Sequence, residues 1–168
     1  MFNNFIIGVL AFLLMIFPNW GSVQYEYLAR TNSASIVAPK IIEAIKSNDI
    51  DTLESMMCGN IKKNTKNLHG EIKKMLDAIE GTITKIERRP GGGSYTETRK
   101  NGDAISQVGL DFTITTTKQT YAIGGCWEVA NTFNKKEVGF RTIGLGTLDP
   151  LKSLVSITAT DGIRSWHD

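Results

Sequence analysis

Ile72-Lys73-Lys74-Met75-Leu76-Asp77-Ala78-Ile79-Glu80-Gly81-Thr82-Ile83-Thr84-Lys85-Ile86-Glu87-Arg88-Arg89 is the stretch on which the fold turns. Up to Gly81 the apolar residues fall at Leu68, Ile72, Met75, Leu76 and Ile79, the three-and-four spacing of one helix face. Gly81 is a natural C-terminal stop, because glycine adopts the left-handed conformation that ends helices. Beyond it the chain becomes Thr-rich, β-branched and punctuated by glycine, which is the texture of strands and turns.

Working back toward the N-terminus, Val37, Ile41, Ala44 and Ile45 repeat at helical spacing between Ser33 and Ser47, with Ile42 widening the stripe. Asn48-Asp49 breaks that helix. Asp49 or Asp51 can then cap a short second one carrying Leu53, Met56 and Met57, which Gly59 ends. A third helix is expected within 60–80. Working forward, Thr82 to Arg89 reads as a strand, Pro90-Gly91-Gly92-Gly93 as a loop, and Tyr95 to Arg99 as a weak edge strand closed by Asn101-Gly102. Val108, Leu110, Phe112 and Ile114 alternate with Gly109, Asp111 and Thr113 and predict a strand with one buried face. Tyr121, Ile123, Trp127 and Val129 repeat the pattern. Val138 and Phe140 begin a further strand whose parity shifts to Ile143 and Leu145, predicting a bulge near Thr142. Leu154 to Thr160 is the last strand. Helices followed by strands predict an α+β domain: three helices packed on an antiparallel sheet of five to six strands.

At 168 residues, 41% hydrophobic and 21% charged, the chain is sized for one domain, with residues 31–162 forming it and 163–168 a tail. A net charge of +2 is too mild to argue for a nucleic-acid surface. Phe5 to Phe17 is an apolar run ended by Pro18-Asn19-Trp20-Gly21-Ser22. Its length, about 13 residues, suits the h-region of a signal peptide better than a spanning helix of about 20, although no Lys or Arg precedes it and the first basic residue is Arg30. Residues 1–30 are therefore expected to be a signal peptide or membrane anchor with its linker, placing the domain outside the cytoplasm. Trp20, Tyr25 and Tyr27 stand where interfacial aromatics sit. Cys58 and Cys126 read as two unpaired small apolar residues, or as a pair if the domain lies in an oxidising compartment, and neither CxxC nor any metal-ligand spacing occurs.

Four stretches together resemble a known family: Ile41 through Asp49, Glu71-Ile72 through Ile79-Glu80-Gly81, Thr117-Lys118-Gln119-Thr120-Tyr121, and Glu137-Val138-Gly139 with Ile143. The chain from about Ser33 to Thr160 is similar to an uncharacterised family of bacterial membrane-associated proteins and lipoproteins. That family resembles the nuclear-transport-factor-two-like, or cystatin-like, superfamily. The resemblance implies a cone made by a strongly curved sheet wrapping three helices, and an envelope location. It supplies no catalytic residue, and the lipid-accepting Cys that many relatives carry after the apolar run is missing here.

Folds of that kind can hold a small molecule between helices and sheet. Tyr121, Trp127, Phe112 and Phe140 are core residues first and the candidate lining of an apolar ligand site second. Asp111 alternates out of phase with Leu110 and Phe112, so it faces the other side of the sheet. It is a pocket carboxylate only if that side is concave, and otherwise a solvated residue; Glu128 and Arg141 stand in the same position by the same parity. Lys62, Lys66, His69 and Lys73 fall on one stripe of the expected third helix, a solvated flank or a contact for anionic lipid. His69 and His167 offer little as general bases, and the glycine run after Pro90 lacks the helix and Lys-Ser/Thr of a phosphate loop. No cofactor, metal or nucleic acid is called for. The reading is a non-enzymatic, envelope-located binding or interaction domain, associated with a membrane through its N-terminal segment and taking a small apolar ligand or a protein partner. The alternatives are a small-molecule isomerase or hydratase using an interior carboxylate such as Asp111, and a structural interaction module with a filled interior.

Overall fold

The computed structural model describes residues 20–89, 94–98 and 102–159, excepting the side chains of Trp20 and Tyr95. The Phe5 to Phe17 run, the Pro90 to Gly93 loop and the expected tail lie outside the described residues. The fold is α+β, with helices first and an antiparallel sheet of six strands after them.

The helices are α1 (Trp20–Thr31), α2 (Ala34–Ser47), α3 (Ile50–Ser55), α4 (Gly59–Asn64) and α5 (Leu68–Asp77). α2 buries Val37, Ile41, Ala44 and Ile45, the expected face. It ends at Asn48, whose left-handed φ of 55° is one that asparagine tolerates, and whose N–H reaches the carbonyls of Ala44 and Ile45. Of the two capping candidates, Asp49 is the one used: it accepts the N–H of Thr52 at 2.9 Å and its hydroxyl at 2.6 Å.

Two expectations are corrected. α1 occupies ground read as linker, so the described helices number five where three were expected. The expected third helix is also two. Thr65 turns extended (φ −90°, ψ 108°), and the Asn67 side chain accepts the Gly70 N–H at 3.2 Å to start α5 afresh. The basic stripe therefore does not exist as one helix face: Lys62 belongs to α4 and bonds the Ser55 carbonyl, Lys66 lies between helices, and Lys73 pairs with Asp77 at 2.6 Å.

The strands are β1 (Ile83–Arg88), β2 (Ser94–Thr98), β3 (Ala104–Thr116), β4 (Thr120–Asn131), β5 (Gly139–Leu148) and β6 (Leu151–Thr158), ordered β1-β3-β4-β5-β6. β2 pairs with β3 as well: β1 takes the Phe112–Thr116 end and β2 the Ala104–Val108 end. The inner face carries Leu110, Phe112, Ile114, Tyr121, Ile123, Trp127, Phe140, Ile143 and Leu145, all packed with α2, α3 and α5 in one core. Trp127 and Phe140 meet edge to face, with ring centroids 4.9 Å apart and planes at 88°.

Two bulges fall side by side. Ser106 pairs with Ala130 and Gln107 with Glu128, so Val129 is an extra residue of β4. Trp127 pairs with Phe140 and Cys126 with Thr142, so the extra residue of β5 is Arg141, next to the expected Thr142. On the far side of Phe140 the segment Met57-Cys58 joins as a short parallel bridge, with Cys58 N–H bonded to the Phe140 carbonyl at 3.0 Å and Phe140 N–H to that of Met56 at 2.9 Å. Gly139 permits this contact. Its φ of +133° and its distance of 2.5 Å from a notional Cβ to the Met56 carbonyl oxygen exclude any side chain.

Candidate functional site

The four aromatic residues singled out by period-two reasoning, Tyr121, Trp127, Phe112 and Phe140, are all buried on the inner face. Among the described residues they line no central chamber. The gap bounded by Ile41, Leu110, Phe112, Ile123, Phe140 and Ile143 has no room for a water-sized sphere. The Tyr121 hydroxyl is occupied, accepting hydrogen bonds from the Glu80 N–H at 2.8 Å and from Gln119 Nε2 at 2.6 Å. It fastens the turn after α5 to β4. Asp111 lies on the opposite face, half-buried, with its carboxylate over Gly124 where any Cβ would strike it. It is not brought together with the aromatic set.

Open space begins at one rim of the core. A cleft of about 340 Å³ is bounded by the end of α1 (Thr31, Asn32), the start of α2 (Val37, Lys40), α3 (Thr52, Ser55), Met56, Trp127 and Val138. Its floor is apolar: Val37, Met56, Val138 and the indole of Trp127. The indole N–H is already spent on the Asn32 carbonyl at 3.1 Å, which pins the α1–α2 junction to the sheet. The rim is polar. The hydroxyls of Thr31, Thr52 and Ser55 donate to Tyr27 O, Asp49 Oδ2 and Thr52 O respectively, and Thr31 Oγ1 also accepts from Asn32 Nδ2 at 3.2 Å. Lys40 is the one charged residue of the lining. Of the sequence candidates only Trp127 belongs to this cleft. The others around it were not foreseen, because they come from a helix junction whose geometry has no periodic signature.

Behind Trp127, on the other face of the sheet, is a second assembly that parity placed but whose burial it misjudged. Glu128 and Arg141, expected to be solvated, are 1% and 5% exposed. Glu128 and Asn131 are three apart and would face opposite ways in a regular strand; the extra residue Val129 turns them to the same side. The Glu128 carboxylate accepts from Asn131 Nδ2 at 2.6 Å and Gln107 Nε2 at 2.9 Å, and pairs with Arg141 Nη1 at 3.5 Å. The remaining amide oxygens are used too: Gln107 Oε1 accepts from Cys126 Sγ at 3.6 Å, and Asn131 Oδ1 from the Asn134 N–H at 2.8 Å. Arg141 also approaches Glu137 at 3.8 Å, and Glu137 accepts the Asn60 N–H at 3.1 Å. Burial holds the Glu128 carboxyl above the usual glutamate range, while the bonds from Asn131 and Gln107 and the charge of Arg141 pull it back. Such a saturated carboxylate binds strands together.

The two cysteines border this assembly. Both are buried and free. Burial pushes the Cys126 thiol up to about 11, so it stays protonated and unreactive at neutral pH. Cys126 lies on β4 and Cys58 beyond β5, so β5 runs between them.

Asp51, Glu54 and His69 bring one ligand atom each within 4.8 Å of one another on the outer surface of α3 and α5. His69 Nδ1 lies 3.3 Å from Glu54 and 3.7 Å from Asp51, a contact that ties the two helices. Among the described residues no helix is long and apolar enough to cross a membrane.

No curated protein matches the chain. One family model does, over residues 40–152, which takes in the chain from the cleft residue Lys40 through β1 to β5 and into β6. By that match the chain belongs to the DUF5104 family, defined by a domain of unknown function.

Proposed function

We propose that this chain is a non-enzymatic binding domain of the bacterial envelope, held there by the apolar segment Phe5 to Phe17, and that it takes a small ligand in the rim cleft over Trp127. The contrast between a centre without room for a water molecule and an open cleft of about 340 Å³ beside it supports this reading. The cleft is of the size that small-molecule sites occupy, with an apolar floor and a few polar groups at its edge. The resemblance to the cone-shaped, cystatin-like superfamily agrees with it, since helices ahead of a bulged antiparallel sheet are the arrangement such a cone requires. The isomerase or hydratase alternative calls for a carboxylate such as Asp111 at the ligand, and none of the residues lining the cleft bears one.

The test is calorimetry on the full chain in lipid nanodiscs, with empty nanodiscs as the blank and naphthalene-sized probes as ligands. One saturable site is expected. It is expected to vanish in Ser55→Trp, which places a bulky side chain from the exposed end of α3 across the cleft. Probe binding that ignores Ser55→Trp, or no saturable binding at all, would refute the proposal.

A further inference from the structure

The chemical character of the cleft narrows what it holds. Its lining contains one cation, Lys40, and no carboxylate. Lys40 is exposed on the second turn of α2, and no ion pair joins it to another described residue. Lys73 and Lys62 of the helical layer are held, by Asp77 at 2.6 Å and by the Ser55 carbonyl at 2.7 Å, whereas Lys46, Lys63 and Lys66 resemble Lys40 in having no ion pair to another described residue but stand outside the cleft. The donors of the floor and rim are already committed within the protein: Trp127 Nε1 to Asn32 O, Asn32 Nδ2 to Leu28 O, and the three hydroxyls to backbone or to Asp49. Lys40 is therefore the lining group with donors left for a ligand, and those donors carry a charge. Opposite it stand Trp127, Met56, Val37 and Val138, which offer only apolar contact.

We infer that the ligand is a small amphipathic anion, with a flat or branched apolar body lying on Trp127 and Met56 and a carboxylate or similar headgroup at Lys40. This rests on the cleft being the binding site. A neutral apolar molecule would leave the hydrated ammonium unused, and a cation would be repelled. The hydroxyl oxygens of Thr52 and Ser55 can accept from a hydroxyl or amide N–H carried by the same ligand. Lys40 is then a specificity determinant, and Trp127 the platform.

Two isosteric probes separate the terms: 2-naphthoate and its neutral amide, titrated by calorimetry into the full chain in lipid nanodiscs. The naphthoate is expected to bind at least about threefold more tightly than the amide, the range of a partly exposed ion pair. Lys40→Met should bring the naphthoate down to the level of the amide while leaving the amide unchanged, and Lys40→Glu should invert the preference. If both probes bind alike and Lys40→Met changes neither, yet Ser55→Trp removes both, the cleft is the site and the inference about its ligand is wrong. If Ser55→Trp removes neither, the site itself is misplaced. An unchanged unfolding midpoint in Lys40→Met, at an exposed position, shows that any loss is one of binding.

Discussion

Glu128 is the residue whose setting says most about how this sheet is held. Desolvation raises its carboxyl above the ordinary value of 4.5 despite three donors, so the folded protein retains a proton that the unfolded chain has released. Between 4.5 and the raised value the folded state binds more protons, and its stability therefore falls as pH climbs through that window. Glu128→Gln removes this dependence and also turns an amide N–H₂ toward donors that were facing an oxygen. The variant is expected to lose about 3 kcal/mol at neutral pH, and urea unfolding as a function of pH should show its gap from the parent widening as pH is lowered through the window. A gap that narrows would contradict the assignment. The sequence did carry a trace of this residue: a charge within Cys126-Trp127-Glu128-Val129-Ala130 is flanked by apolar residues on both sides. Parity alone placed it on the outer face. What parity cannot see is two adjacent bulges that gather Gln107, Glu128, Asn131 and Arg141 into a single buried set.

Among the elements, the junction between helices and strands is tied by one buried ring's hydroxyl, beside the Lys118–Glu80 ion pair and the Thr82–Thr117 bonds. Tyr121 accepts the Glu80 N–H just past α5 and the Gln119 amide at the β3–β4 turn. Tyr121→Phe keeps the ring and deprives both donors. It should cost about 1–2 kcal/mol and speed hydrogen exchange at the Glu80 amide, whereas unchanged exchange there would show the bond to be incidental. The alternation that marked the middle of β3 and the start of β4 was legible because one face is buried there, but the stop read at Gly81 was misplaced: α5 ends at Asp77 with Ala78 as its cap, and Gly81, with its φ of +88°, belongs to the turn that leads into β1. The split between α4 and α5 was not legible. The apolar spacing of Ile61, Leu68 and Ile72 is compatible with one long helix, and what decides against it is a local choice by Thr65 and Asn67 that no average over a window registers.

For the whole molecule, the expectation that matters is tethering. Removing the residues before Trp20 should release the domain from the pelleted membrane fraction while leaving its cooperative unfolding intact, because the described core draws on α2 onward. Full-length chain found in the soluble cytoplasmic fraction would overturn the envelope assignment. The α+β order could be read from composition and period alone. The place where a ligand could enter could not, since the cleft is made where α1, α2 and α3 meet the sheet and its lining residues are scattered from Thr31 to Val138.

The division of labour along β3 has a bearing on how this protein coexists with its own copies. A strand of 13 residues left bare on one side would be a long template for a neighbouring chain. Here two ribbons of six and five residues are laid end to end along it, and the N–H of Arg89 reaches the Asp111 carbonyl at 2.8 Å between them. Each outward border is thus short, and the nearer one bristles with Lys85, Glu87 and Arg88. Crowded copies of the chain have little to zip onto along this border, and strand addition there is discouraged by construction.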